Sequence, residues 1–379
     1  MTEPGRAALA EWRLDPNFLT VNHGSFGATP IRVLAAQEEW RRRMEAQPTR
    51  FMSQLPAALR AAAAALGDVL GARGADLAFV DNATSGCNAV LRSLVFRPDD
   101  EILVLDHGYG AVRNTARFVA ERAGAKLTEA AIPFPGGESA GIVEAVAAAL
   151  TPRTRLAVVD HITSASAIVM PVAEIAAICR AAGVPVLVDG AHGPGQIGLD
   201  LPALGGDWYT GNCHKWLCAP KGSAFLWTSP ARQAATHPLT ISHGLGQGYI
   251  QEFDWTGTRD PSAVLSVPAA IAFHEVLGGA ALRDRNIALA GQAAALVARR
   301  LSTEALPGAA AMRLVRLPAA PGTDARAFRA RLLAAGTDAP VHAIGGALWL
   351  RLSAFAYNEL EDYARLAAIV AGALREQTP

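Results

Sequence analysis

The stretch RLAVVDHITSASAIVMPVAEIAAICRAAGVPVLVD, residues 155–189, reads as one strand–helix–strand unit. RLAVVDHIT (155–163) is an almost unbroken apolar run rich in β-branched residues, as a strand covered on both faces requires. In VAEIAAICRAAG, Val172, Ile175, Ala176 and Cys179 recur on one helical face, and Gly183 is placed to cap the helix. VPVLVD (184–189) follows as a second apolar strand bounded by glycines. The order β–α–β predicts an α/β fold with a mostly parallel sheet. Upstream, LAFV (77–80) precedes a helical segment from Ser85 to Leu94, and EILVLD (101–106) precedes another from Ala111 to Arg122. Beyond Pro261 the pattern changes. An Ala-rich helical region runs from Val267 to about Leu306, followed by strand-like runs that include ALWLRLS (347–353). A last helix starts near Asn358, with Glu361 placed for a capping box, and ends near Leu374. This predicts a large domain over residues 21–261 and a smaller α+β domain from residues 1–20 and 262–379.

The chain has 379 residues, 51% hydrophobic and 18% charged, a globular composition with enough length for a sizeable core. Its 34 basic residues balance 34 acidic ones and no Lys/Arg-rich run occurs, so neither nucleic acid nor a membrane surface is an expected partner. The opening MTEPGRAALAEWRLDP lacks the apolar centre of a signal peptide, and no window reaches the ~20 apolar residues of a membrane span. The expected compartment is the cytoplasm. Cys87, Cys179, Cys213 and Cys218 show no disulfide-framework spacing and are expected to be reduced. Lysine occurs only at Lys126, Lys215 and Lys221.

Ligands of parallel α/β sheets bind beyond the carboxyl ends of the strands. Four such ends carry polar and small residues: Asn82-Ala83-Thr84-Ser85-Gly86, Asp106-His107-Gly108-Tyr109, Asp160-His161-Ile162-Thr163-Ser164 and Asp189-Gly190-Ala191-His192. One such end is accounted for by an ordinary turn; four in succession suggest a shared cleft. Downstream, YTGNCHKWLCAPKG (209–222) sets Lys215 among apolar and small residues. Desolvation there would lower its pKa and make the amine a nucleophile, as a Schiff-base lysine must be; a snorkelling surface lysine is the alternative. Arg351 alternates against Leu348, Leu350 and Leu352, so it faces either a cleft or solvent.

The ordered set Asp189-x-x-His192, His214-Lys215, Thr256-Gly257-Thr258, and Arg351 followed by Tyr357-Asn358 resembles the class V aminotransferase family. These are pyridoxal 5'-phosphate (PLP) enzymes of fold-type I, the aspartate aminotransferase-like architecture. VNHGSFGATP, VDGAHGPG, NCHKW and RLSAFAYN are most similar to the isopenicillin N epimerase-like branch, which in turn resembles the hercynylcysteine sulfoxide lyases. The resemblance runs from about residue 20 to about residue 370. It implies that Lys215 holds PLP as a Schiff base and that Asp189 pairs with the protonated pyridine nitrogen. It sets His192 beside the ring hydroxyl and Tyr109 on the ring, with His107 competing for that place. Thr84 and Ser85 would bind the phosphate at a helix N-terminus, with Asn212 and His214 adding contacts; a plain N-cap is the alternative there. Thr258 would reach the phosphate of a neighbouring subunit, which implies a homodimer with composite active sites. Arg351 would clamp the α-carboxylate of an amino acid substrate. Asn22 and His23, with Gly24 and Ser25, would shape the substrate side, and Arg50 would either bind a second acidic group or lie exposed on a helix.

Three other signals carry less. GPGQIG (193–198) matches G-x-G-x-x-G, but no amphipathic helix follows it. His192, Cys213, His214 and Cys218 fit no standard zinc spacing, so no metal is expected. Cysteine desulfurases carry a nucleophilic cysteine ahead of the carboxylate-binding arginine; GTDAPVHAIGGALWLR has none, so persulfide formation is not expected. The resemblance favours epimerisation at the α-carbon, with Tyr109, His161 or His23 as second acid, ahead of C–S cleavage and transamination.

Overall fold

The structure, a computed structural model, describes residues 4–136 and 138–375; the ends of the small-domain assignment, 1–3 and 376–379, lie outside the described residues. β1 (Leu19–Thr20) lies apart from the main sheet. That sheet has seven strands: β2 (Leu77–Val80), β3 (Glu101–Leu105), β4 (Lys126–Ala130), β5 (Thr154–Asp160), β6 (Val186–Asp189), β7 (Trp208–Asn212) and β8 (Ala224–Thr228). Their order is β2-β8-β7-β6-β5-β3-β4. β8 is antiparallel to both neighbours, and every other pair in this sheet is parallel.

Side chains alternate across a strand, and here both faces are buried. Leu103, Leu105, Val159 and Val188 pack on one side with the long helix Pro48–Leu70. Ile102, Val104, Val158 and Leu187 pack on the other with the helices Ala83–Ser93 and Gly110–Ala123. The expected α/β architecture is therefore present. The predicted strand over 155–163 stops earlier, at Asp160, because Thr163 turns the chain: its hydroxyl accepts from Ile168 N–H and bonds Ser166, and its carbonyl accepts from Ala167 N–H.

The smaller layer holds β9 (Met312–Arg316), β10 (Thr337–Asp338), β11 (Val341–Ile344) and β12 (Ala347–Ser353). The antiparallel order is β11-β12-β9, while β1 pairs in parallel with β10. The Ala-rich region is not one helix. Gly278 and Gly279 both take positive φ (115° and 54°) and separate Val267–Val276 from Ala280–Arg300. Packing divides the chain later than Pro261. Val267, Ala270, Phe273 and Leu282 join the large core, and only from Leu289 onward does the second helix enter the small one. Ala8 and Trp12 also pack in the large core, whereas Leu19 and Val21 pack in the small one.

The last helix, Leu360–Arg375, begins with Asp362 rather than Glu361 reaching back, its carboxylate accepting from Glu359 N–H. Asn358 is spent otherwise: it accepts from Phe355 N–H and donates to Thr20 O. Among the described residues no single helix is long and apolar enough to cross a membrane.

Candidate active site

The carboxyl ends of β5, β6 and β7 and the N-terminus of helix Ala83–Ser93 open on one cavity of about 460 Å³, a size suited to a small ligand. Thr84, Ser85, Tyr109, Asp189, His192, Asn212, His214 and Lys215 all line it. Thus the polar strand ends singled out in the sequence do converge, apart from that of β3, which contributes Tyr109 but not His107. His107 is turned away, with Nδ1 2.8 Å from Ser166 Oγ and its ring against Phe134.

Lys215 follows β7 in a tight loop closed by Cys213 N–H to Ser223 O and Ala219 N–H to Cys213 O. Burial, reinforced by Arg351, lowers its pKa from 10.5 to about 8. Its Nζ lies 3.2 Å from His192 Nε2. Trp216 Nε1–H donates to His192 Nδ1 at 3.4 Å, which leaves the imidazole proton on Nε2, facing an amine best accommodated neutral. His192 itself is held far below its ordinary pKa by burial and by Lys215.

At one end of the cavity, Asn82 caps helix Ala83–Ser93 by accepting from Ser85 N–H at 2.9 Å. The N-cap alternative is therefore real, but the cap is Asn82, and Ser85 N–H is unavailable to a ligand. Asn212 Oδ1 accepts from Ala83 N–H (2.9 Å), so its amide NH2 is the group left to donate. His214 Nδ1 donates to Ser223 O (3.1 Å), and burial lowers the ring's pKa to about 4. An anion beside Nε2 would favour the imidazolium and turn that atom into a donor.

At the other end, Asp189 and Asp160 are register partners at the ends of β6 and β5. Burial raises both pKa values, and Asp189 raises that of Asp160 further. Asp189 accepts one hydrogen bond from Ala191 N–H, at 3.1 Å. Asp160 accepts from Tyr109 N–H at 3.2 Å and so sets where Tyr109 stands. The donor set fits PLP on chemical grounds. A buried carboxylate uncomfortable as an anion matches a pyridinium N–H, a helix N-terminus with amide and imidazole donors matches a phosphate, and a desolvated lysine lies between.

Six of the residues given roles above, Arg351, Asn22, His23, His161, Thr258 and Arg50, do not line the cavity. Arg351, only 2% exposed, sits directly behind Ser25 and Ser164, which do. It donates to Ser25 Oγ (2.8 Å), Asn22 Oδ1 (3.0 Å) and Ser164 O (2.5 Å), while its buried Nε has no partner. Of the two orientations left open by the sequence, the structure has the inward one. Asn22 touches the cavity wall through Ser25, whose hydroxyl donates to Asn22 Oδ1 at 2.8 Å. His23 is locked behind the lysine loop: Nε2 bonds Lys215 O (3.0 Å), Nδ1 bonds Tyr357 OH (2.9 Å), and the ring stacks on Phe355. Burial lowers its pKa to about 3. Its expected place beside the substrate is corrected to a place behind Lys215, because both ring nitrogens are already used. His161 likewise bonds Tyr209 OH and is absent from the cavity wall. Thr258 is exposed and away from the cavity, and Arg50 is exposed on helix Pro48–Leu70. Sequence reasoning assigned no role to Asp160, Ser164 or Phe26, all on the wall. The first two were among the polar strand ends; Phe26, 67% exposed, lies within the quoted VNHGSFGATP, but its residue type alone suggests no role.

A family description, Aminotransferase class-V, matches residues 27–311. A probable chloroplastic L-cysteine desulfhydrase of Arabidopsis thaliana is 31% identical over 96% of this chain and 84% of its own length. The isopenicillin N epimerase of Streptomyces clavuligerus is 33% identical over 95% of this chain and 98% of its own. A putative L-cysteine desulfhydrase 1 of Oryza sativa subsp. japonica is 39% identical, but the match covers 70% of this chain and 59% of the rice protein. Among solved structures, the cystine C–S lyase C-DES, in complex with its reaction product cysteine persulfide, superposes with a TM-score of 0.81 at 23% identity, covering 94% of this chain and 98% of that one.

Proposed function

The chain belongs to the class V aminotransferase family, and on that premise we propose that it is a PLP-dependent lyase that takes the α-proton from an L-amino acid and eliminates sulfur from its β-carbon. Lys215, Asp189, Asn212, His214 and Thr84 would hold the cofactor. Bound there, PLP supplies a carbonyl for the substrate amine and a ring that takes up the charge left at Cα. Lys215 Nζ, with its pKa lowered to about 8, is suited to hold the Cα proton and to hand a proton to the departing sulfur. Arg351 would orient the α-carboxylate. For L-cysteine the net change is cysteine plus water to pyruvate, ammonia and hydrogen sulfide. The Cα–H and Cβ–S bonds break and no external oxidant is needed.

One observation carries this order of readings. Epimerisation needs a second acid on the face opposite Lys215, and two of its three candidates, His23 and His161, do not line the cavity, His23 having both ring nitrogens engaged and His161 its Nδ1. Elimination needs only the one base. Epimerisation stays as a second reading because Tyr109 does line the cavity. No cysteine lines it, which favours release of free sulfide over persulfide transfer.

NMR of the PLP-loaded protein with L-cysteine in D₂O separates the two. Pyruvate and sulfide are expected. Deuterium at Cα with the D-isomer and no fragments would replace elimination by epimerisation. We further propose a homodimer in which Thr258 serves the partner's site. Thr258 is exposed beside Thr256, which shares a surface depression with Ser85, and Leu239, Ile241 and Leu245 expose apolar surface on the preceding loop.

A further inference from the structure

The carboxylate-binding arginine is backed by a polar chain that ends on a second arginine. Asp338, on β10, accepts two bonds from Arg329, Nε to Oδ1 at 2.7 Å and the second nitrogen to Oδ2 at 2.8 Å. Its Oδ2 also accepts from Asn22 Nδ2 at 2.6 Å. Asn22 Oδ1 in turn accepts from Arg351 at 3.0 Å and from Ser25 Oγ at 2.8 Å.

This order fixes the Asn22 amide. An ionised carboxylate only accepts, so Asp338 must face the NH2 end, and the carbonyl end is then left to Arg351. A flipped amide would set NH2 against guanidinium donors and oxygen against Asp338, losing both bonds. The chain joins separate parts of the sequence: Asn22 follows β1, Asp338 closes β10, and those strands pair as Thr20 with Asp338. Asn22 is buried and the Asp338 side chain is 15% exposed, so water competes little for these bonds. Burial, and after it the charge of Arg329, lower the Arg351 pKa to about 10, and the negative charge of Asp338 offsets part of this.

We propose that Asp338 is a positioning residue: by fixing the orientation of the Asn22 amide, with Arg329 bracing it from behind, it aims the Arg351 guanidinium at the substrate carboxylate. The inference rests on the reading of Arg351 as the carboxylate site. Ser25, which shares the same Arg351 nitrogen and lines the cavity, is the contact a carboxylate would displace.

The test is a titration of the PLP-loaded protein with L-alanine and, in parallel, with ethylamine, which lacks the carboxylate, following the visible absorbance. Asp338→Asn leaves a single acceptor oxygen for Arg329 and Asn22 together, so an NH2 can face Asn22 and the orientation of the Asn22 amide is no longer dictated. It should raise the dissociation constant for L-alanine about tenfold and leave that for ethylamine unchanged. Arg329→Gln, which keeps Asp338, should give a smaller rise of the same selectivity and decides the matter if Asp338→Asn does not fold. Unchanged L-alanine binding, or equal losses for both ligands, overturns the proposal. Arg351→Met is the control. If it weakens L-alanine binding while neither of the other variants does, only the Asp338 inference fails; if it has no effect, the carboxylate reading falls and the inference with it.

Discussion

At the scale of single residues, the site is organised around one desolvated amine. Of three lysines, Lys126 is on β4 and paired with Asp99, and Lys221 bonds Gly27 O; only Lys215 lines the cavity. Borohydride reduction of the PLP-loaded protein followed by peptide mapping should therefore label Lys215, and Lys215→Ala should lose the label and activity while keeping its fold. A label on Lys221 would contradict the assignment. The sequence made this residue legible because lysine is rare here and sits in an apolar loop, a local signal. His23 misled for the opposite reason: VNHGSFG reads as a site motif, and nothing local reveals that the imidazole is spent on Lys215 O and Tyr357. Only tertiary partners separate a ligand-facing histidine from a satisfied core histidine.

At the scale of elements, the segment Asn22–Thr29 acts as a strap across the lysine loop. His23 holds Lys215 O, Thr29 holds Ala219 O, and Gly27 accepts from Lys221. Gly27 has φ +65°, and a Cβ there would stand 1.9 Å from His214 O and 2.9 Å from Lys215 Cα. Both the conformation and the space forbid a side chain. Gly27→Ala should lower stability by about 2–4 kcal/mol, in the range of strain and overpacking at a buried site, and weaken PLP binding by displacing Lys215. Urea unfolding and a PLP titration check this; wild-type values in both would show that the strap does not bear on the loop. The strands and helices of the main sheet were legible from periodicity because each carries its own two-faced pattern. The strap was not, since its short helix His23–Phe26 has no period to read and its partners lie far along the chain. The break at Gly278–Gly279 was legible in principle, as paired glycines, but the Ala-rich composition on both sides concealed it.

At the scale of the whole molecule, buried neutral histidines join the site to acid stability. Burial lowers His23 from 6.5 to about 3. Between those values the unfolded chain binds the proton and the folded one does not, so stability falls as pH drops. From pH 7.5 to 5 this residue alone removes about 2 kcal/mol. The stability gap between the wild type and His23→Gln, which cannot titrate, should narrow by that amount in urea unfolding at the two pH values; a constant gap would mean that His23 takes up its proton over the same pH range folded as unfolded.

Assembly is the other property of this scale. Within one chain the anion end of the cavity presents Thr84 N–H, the Asn212 amide and His214, while Thr258 points elsewhere, exposed. If a second chain completes that end, two defective chains should repair each other. Lys215→Ala lacks its own amine but carries an intact Thr258; Thr258→Asp has Lys215 but would set a carboxylate against the partner's phosphate. Each variant alone should be inactive or nearly so. Refolded together, mixed dimers form one site with Lys215 from one chain and Thr258 from the other, and about a quarter of wild-type activity should return if half of the dimers are mixed and each has one working site of two. Light scattering should show a dimer throughout. No recovery on mixing, with dimers present, would assign each site wholly to its own chain.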